Sequence, residues 1–394
     1  MGHSFVLWPV GVSYRVLMPV IYGDVKFYDS SSTSTRIPEA ASTSDSAAES
    51  PAQDVPGSSG KPAGSASLAH PHYAVYNSKG DRVPVSAIVD SMRDVQVVML
   101  GEYHDDPVAH HLELLLLKQA LRRYRPVRPG EAGERTEERR MSVSLEMLET
   151  DVQEVVDAYL AGYITETDLI KDARLWPNYE HDYRPLVELA RLEGLPVVCA
   201  NAPRRYVSLC RRRGRAALDQ LPEVAKQWLA PLPFAPPSAA YIHKTDQLFR
   251  QEPSAQQVSW DPPDDRAVPA SNSSREEAVD SNFLDAQSLW DATMAHSIAK
   301  RLSIDAMAPG QPALPSLVLH VCGKFHSEGW MGIPEHLRWY HTSVRMLIVT
   351  FLPTAGPVAL TAQEFKAAHL SQYGHYVVMT DANQPRSFEA EHPV

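Results

Sequence analysis

Apolar residues in this chain gather in short runs rich in β-branched side chains, and between the runs they recur at helical spacing. Val95–Leu100, Ser142–Glu146, Leu195–Asn201, Leu317–Cys322 and Val344–Phe351 are too short to cross a membrane and read as strands buried on both faces of a sheet. The first run leads through Gly101 to Asp105 or Asp106, either of which can cap a helix that starts at Pro107 and runs to about Arg123. Helical spacing returns in DVQEVVDAYLAG, TETDLIKDA, RPLVELARLEG (stopping at Gly194), Ala202–Arg213 and Asp285–Leu302. Strands that alternate with helices pair in parallel, so the expected fold class is α/β, with a central mixed, mostly parallel sheet flanked by helices. Tyr73–Met92 adds a hairpin and a short helix, and Gly374–Thr380 reads as an edge strand.

Other segments lack this patterning. Residues 1–70 read as a disordered leader: from about residue 30 they are rich in Ser, Ala, Pro and Gly, with too few large apolar groups to offset the entropy of ordering. Phe5–Tyr22 is apolar but carries Arg15, Pro9 and Pro19, which makes a poor transmembrane helix. No acidic residue precedes Asp24, so an organellar (plastid or mitochondrial) targeting segment is one reading, and an extension with no address is the other. The ordered domain is expected over 71–381, with a solvated insertion at 125–140, a long surface loop at 231–281 whose helical fragment is Tyr241–Arg250, and a polar tail at 382–394.

Composition narrows the function. With 394 residues and 44% hydrophobic content a sizeable core is available, and a net charge of −11 gives no electrostatic reason to expect nucleic acid as a partner. Three cysteines without Cys-x-x-Cys spacing fit buried thiols in a reducing, intracellular compartment rather than a disulfide framework or a zinc finger.

The chemistry concentrates where the runs end. Two of them break at Gly-x-x-His, Gly101–His104 and Gly323–His326, with the histidines 222 positions apart. Two others end at Glu146 and Asn201. Open α/β sheets bind ligands at the carboxyl ends of their strands, so a shared cleft is expected there. Glu102, His104, Glu146 and His326 could act as acid and base, and His104, Glu146 and His326 could hold a divalent metal while leaving a position open to water. Asn201 could orient a ligand. Trp176, Tyr179, His181 and Tyr183 offer flat apolar surface and phenols, and tyrosinate is an axial ligand of ferric haem. Arg204 and its neighbours could meet haem propionates, or could form a solvated helix face.

Six ordered motifs carry a resemblance: GEYHDDPVAH (Gly101–His110), SLEM at Glu146, WPNY through YRP (Trp176–Pro185), VVCANAPR (Val197–Arg204), QSLWDATMA (Gln287–Ala295) and GKFH through GIPEHL (Gly323–Leu337). In these the chain resembles the ChaN-like haem-binding uptake proteins of the Tiki superfamily, which also holds TraB-type proteins and the Tiki metalloproteases. The resemblance implies a haem- or iron-related binding protein, a tyrosine ligand for which Tyr179 and Tyr183 are the candidates, and a homodimer sandwiching haem. Its alternative implication is a metal-dependent hydrolase using His104, Glu146 and His326.

Overall fold

The computed structural model describes residues 70–127, 137–251, 280–307 and 314–386. The leader, most of the 125–140 and 231–281 insertions and the last residues of the tail lie outside the described residues.

Eight strands form one sheet. In chain order they are β1 (Tyr73–Asn77), β2 (Arg82–Val83), β3 (Val97–Glu102), β4 (Arg140–Glu149), β5 (Val197–Asn201), β6 (Ser316–Gly323), β7 (Met346–Thr354) and β8 (Tyr376–Asp381). Their order across the sheet is β2-β1-β8-β7-β3-β6-β4-β5. β1 runs antiparallel to β2 and β8, and every other pair is parallel, so the sheet is mixed and mostly parallel as expected. β8 is not the edge strand its short polar-flanked sequence suggests: the hairpin β1–β2 returns to cover it. The true edges are the two-residue β2 and β5.

Alternation within each strand sorts side chains between two layers of helix. On one face Val98, Leu100, Val143, Leu145, Leu319 and Val321 join a core with α1 (Pro107–Tyr124) and α2 (Arg184–Glu193). On the other, Val97, Met99, Val318, Cys322 and Ile348 meet the long helix α5 (Ser281–Met307) and the short α6 (Ile333–Tyr340). Between these in sequence lie α3 (Arg204–Arg213), which packs Val207 and Cys210 against α5, and α4 (Ala239–Gln251). Coverage of both faces is why the strands read as continuous apolar runs.

Local signals set the boundaries. Asp106, rather than Asp105, caps α1: its Oδ1 accepts from the Val108 and Ala109 amides at 3.0 and 3.3 Å, and Pro107 occupies the first turn. Gly194 closes α2 with φ 65°, a left-handed conformation that costs a glycine little. Two polar-looking segments are more ordered than their composition suggests. Arg139, at the end of the charged insertion, is buried and β4 begins at the next residue. The α4 helix buries Tyr241 and Thr245, and Lys244 Nζ donates to the Phe325 carbonyl at 2.6 Å, so this part of the long loop is docked on the second Gly-x-x-His turn. All three cysteines are buried and unpaired. Among the described residues no helix is long and apolar enough to cross a membrane.

Candidate functional site

β3, β6, β4 and β5 lie side by side and point the same way, so their carboxyl ends share one edge of the sheet. The two Gly-x-x-His turns sit there in contact. A Cβ on Gly101 would come within 2.7 Å of Ser327 Oγ and 3.1 Å of Lys324 Cα, both in the second turn. A Cβ on Gly323 would come within 2.8 Å of His104 Nε2 in the first turn and 3.7 Å of Glu146 Oε2. Each glycine is therefore the surface on which the other turn rests.

Both histidines are built alike. His104 Nδ1 lies 2.8 Å from Glu102 Oε1, and His326 Nδ1 lies 2.7 Å from Asp291 Oδ1 on α5. Fixing Nδ1 with a carboxylate sets the ring orientation and leaves Nε2 to work, the arrangement that surrounds many metal-bound histidines. The His326 Nε2 lies 3.6 Å from Glu146 Oε1, while Glu146 Oε2 accepts from the Gly323 amide at 2.6 Å. Burial opposes charge on both imidazoles. The Glu102 hydrogen bond and the Glu146 charge outweigh it at His104, and Glu146 and Asp291 do so at His326, raising both above the ordinary histidine value. The hydrogen-bonding capacity of the cleft is thus two oriented bases around one carboxylate, suited either to a cation or to proton transfer.

The tyrosine candidates lie just beneath. They belong to a π-helical turn, Tyr179–Tyr183, at the entry to α2. The Tyr183 hydroxyl donates to Glu102 Oε1 at 2.6 Å, and its ring meets Trp176 edge-on at 5.9 Å. Trp176 in turn covers the His104 ring, 4.8 Å away. Tyr179 is buried with no hydrogen-bond partner on its hydroxyl. Burial, then the nearby carboxylates Glu102 for Tyr183 and Glu166 for Tyr179, raise both phenols above their ordinary value. Asn201 turns Oδ1 back onto the Ala202 amide at 2.9 Å. Arg204 lines a narrow hollow of about 10 Å³ with Ser208, Arg211, Phe283, Gln287 and Trp290, and Trp290 reaches His326 edge-on at 6.2 Å.

Several participants carry no assigned role in the sequence reading. Asp291 and His110 are both inside quoted motifs, but helical spacing alone does not reveal which face they present. His110 and Glu113 are buried on α1 and converge with Glu102. Lys244 and Lys324 flank Glu328 beside the second turn, with the Lys324 ammonium 2.8 Å from Glu328 Oε2 and 5.2 Å from the centre of the Tyr103 ring. Nothing in the polar pattern of residues 231–281 marks Lys244 as a neighbour of Phe325.

The family described as "Haem-binding uptake, Tiki superfamily, ChaN" matches residues 88–337 of this chain. The chain belongs to that family. The ChaN architecture is also seen in a solved structure described as "Cofacial heme binding to ChaN of Campylobacter jejuni", to which this chain is similar with a TM-score of 0.50 at 13% identity over 79% of this chain and 98% of that one. At such low identity the likeness speaks for the fold. No curated protein matches the chain.

Proposed function

We propose that this ChaN-family chain is a haem- or iron-related binding protein whose ligand sits at the shared strand ends. The observation that carries the reading is that the family match, residues 88–337, encloses both Gly-x-x-His turns and every candidate ligand between them. The Campylobacter protein of the same architecture is described as binding heme cofacially, which makes haem the ligand to test first and a homodimer part of the same proposal.

The side chains decide which contacts suit haem. Tyr179 and Tyr183 keep their protons, and the Tyr183 hydroxyl is committed to Glu102, so as folded neither fits a tyrosinate ligand well. His104 fits better, with Nδ1 anchored, its side chain 18% exposed beside Trp176, and imidazole an established ligand of haem iron. Arg204, beside Phe283 and Trp290, is the cation available there to a carboxylated ligand, since Arg211 is already paired with Asp280. Bound haem would supply the iron, and the chain's part is to orient and shield it.

Titration of the full chain with hemin tests this. The expected result is a saturable Soret band whose affinity falls at least tenfold in His104→Ala and holds in Tyr183→Phe, with sedimentation showing whether two copies join on loading. No saturable band in the wild type removes the haem reading. The second reading, a metal-dependent hydrolase, is favoured by the approach of two carboxylate-oriented histidines to Glu146. A protein that ignores hemin but holds zinc through His104, Glu146 and His326 would favour it.

A further inference from the structure

Beneath the cleft, Glu102 ends β3 while His110 and Glu113 share the inward face of α1 at i, i+3 spacing. All three are buried, and one ligating atom from each lies within 4.8 Å of the others. We propose that Glu102, His110 and Glu113 form a buried site for one divalent transition-metal ion, separate from the pairing of Glu146 with His326.

His110 stands at the centre of this group. Its Nε2 lies 3.1 Å from the His104 carbonyl oxygen and 3.5 Å from Asp182 Oδ2, both acceptors, so the ring proton belongs on Nε2. In the neutral ring, the form that binds metal, the Nδ1 lone pair then faces Glu102 Oε2 and Glu113 Oε2, each 3.1 Å away. Three electron-rich atoms turned on one another away from water call for a cation among them. With no metal bound, that charge is a second proton on His110 Nδ1, shared between the two carboxylates, and a divalent ion would take its place; the carboxylates' other partners are His104 and Tyr183. Glu113 is 0% exposed, yet its second oxygen, Oε1, accepts no hydrogen bond. An ion bound at about 2.1 Å by each donor places the donors about 3–4 Å apart, close to the spacing present here. One imidazole and two carboxylates suit zinc, manganese or ferrous iron better than calcium or a thiophilic ion. Glu102 has a second task, since its Oε1 meets both His104 and Tyr183, so an ion on Oε2 would tie the cleft histidine to the core of α1.

The assignment does not rest on haem and stands if hemin fails to bind. The test uses the full chain produced in cobalt-supplemented medium, because a sealed site loads best during folding. A His104→Ala/His326→Ala double variant removes the cleft imidazoles and leaves the proposed ligands in place. It is expected to retain about one cobalt per chain by elemental analysis, with visible d–d bands, and to lose it when Glu113→Gln or His110→Gln is added. A double variant without cobalt, or cobalt that survives both additions, overturns the proposal. Should the added substitutions prevent folding, X-ray absorption on the cobalt-loaded double variant decides: one imidazole among oxygen donors is expected, and no imidazole or two overturns it.

Discussion

Gly323 shows how much of the site rests on a missing side chain. Its φ is −55°, which any residue can adopt, so the need for glycine is one of room: a methyl group would come 2.8 Å from His104 Nε2. Gly323→Ala is therefore expected to push His104 off Glu102 and to cost about 1–3 kcal/mol of stability. Gly356→Ala, whose new methyl would find only Thr354 Oγ1 at 3.5 Å, is expected to stay within about 0.5 kcal/mol. Urea unfolding of the two variants beside wild type checks the contrast, and equal losses would show that the crowding at Gly323 relaxes freely. The Gly-x-x-His residues were legible in the sequence because each interrupts an apolar run. Asp291 was not, because one buried acid among the apolar positions of a long helix looks like any other polar turn of the spiral until its neighbour is known.

At the scale of elements, β6 carries a second kind of histidine. His320 lies inside the strand, 0% exposed, with Nδ1 2.9 Å from Ser144 Oγ on β4. Burial, assisted by nearby His326, pushes it from 6.5 down to about 3. Between those values the unfolded chain takes up a proton that the folded chain refuses, so stability falls as pH drops below 6.5, by up to about 1.4 kcal/mol per pH unit from this group. Urea midpoints at pH 7, 6 and 5 are expected to decline more steeply for wild type than for His320→Gln; parallel slopes would mean that His320 does not stay neutral. The strands themselves were visible from their β-branched runs. Their neighbours were not, since pairing is set by packing across the sheet. Gly374–Thr380 therefore reads as an edge strand, yet β8 sits between β1 and β7. Tyr179 and Tyr183 likewise carry the composition of a ligand surface, but the π-helical turn aims one phenol at Glu102 and buries the other.

Across the whole molecule, the end of the sheet opposite the cleft is held by Arg139. Its guanidinium donates to the carbonyls of Met92, Arg93, Val95, Pro315 and Ser316, joining the amino ends of β3, β4 and β6. Arg139→Met keeps the aliphatic stem and strips the donors from those carbonyls, so thermal or urea unfolding is expected to show a loss of about 3–5 kcal/mol, against little for exposed Arg122→Met. A loss below about 1 kcal/mol would show that water replaces the guanidinium. At the other end the two histidine turns lean on each other's glycines, although 222 residues of chain separate the rings. Neither loop can swing outward by itself without dragging its counterpart. The two imidazoles are therefore matched through backbone that has no room to spare, and a bulkier residue at either glycine would be felt on the opposite turn.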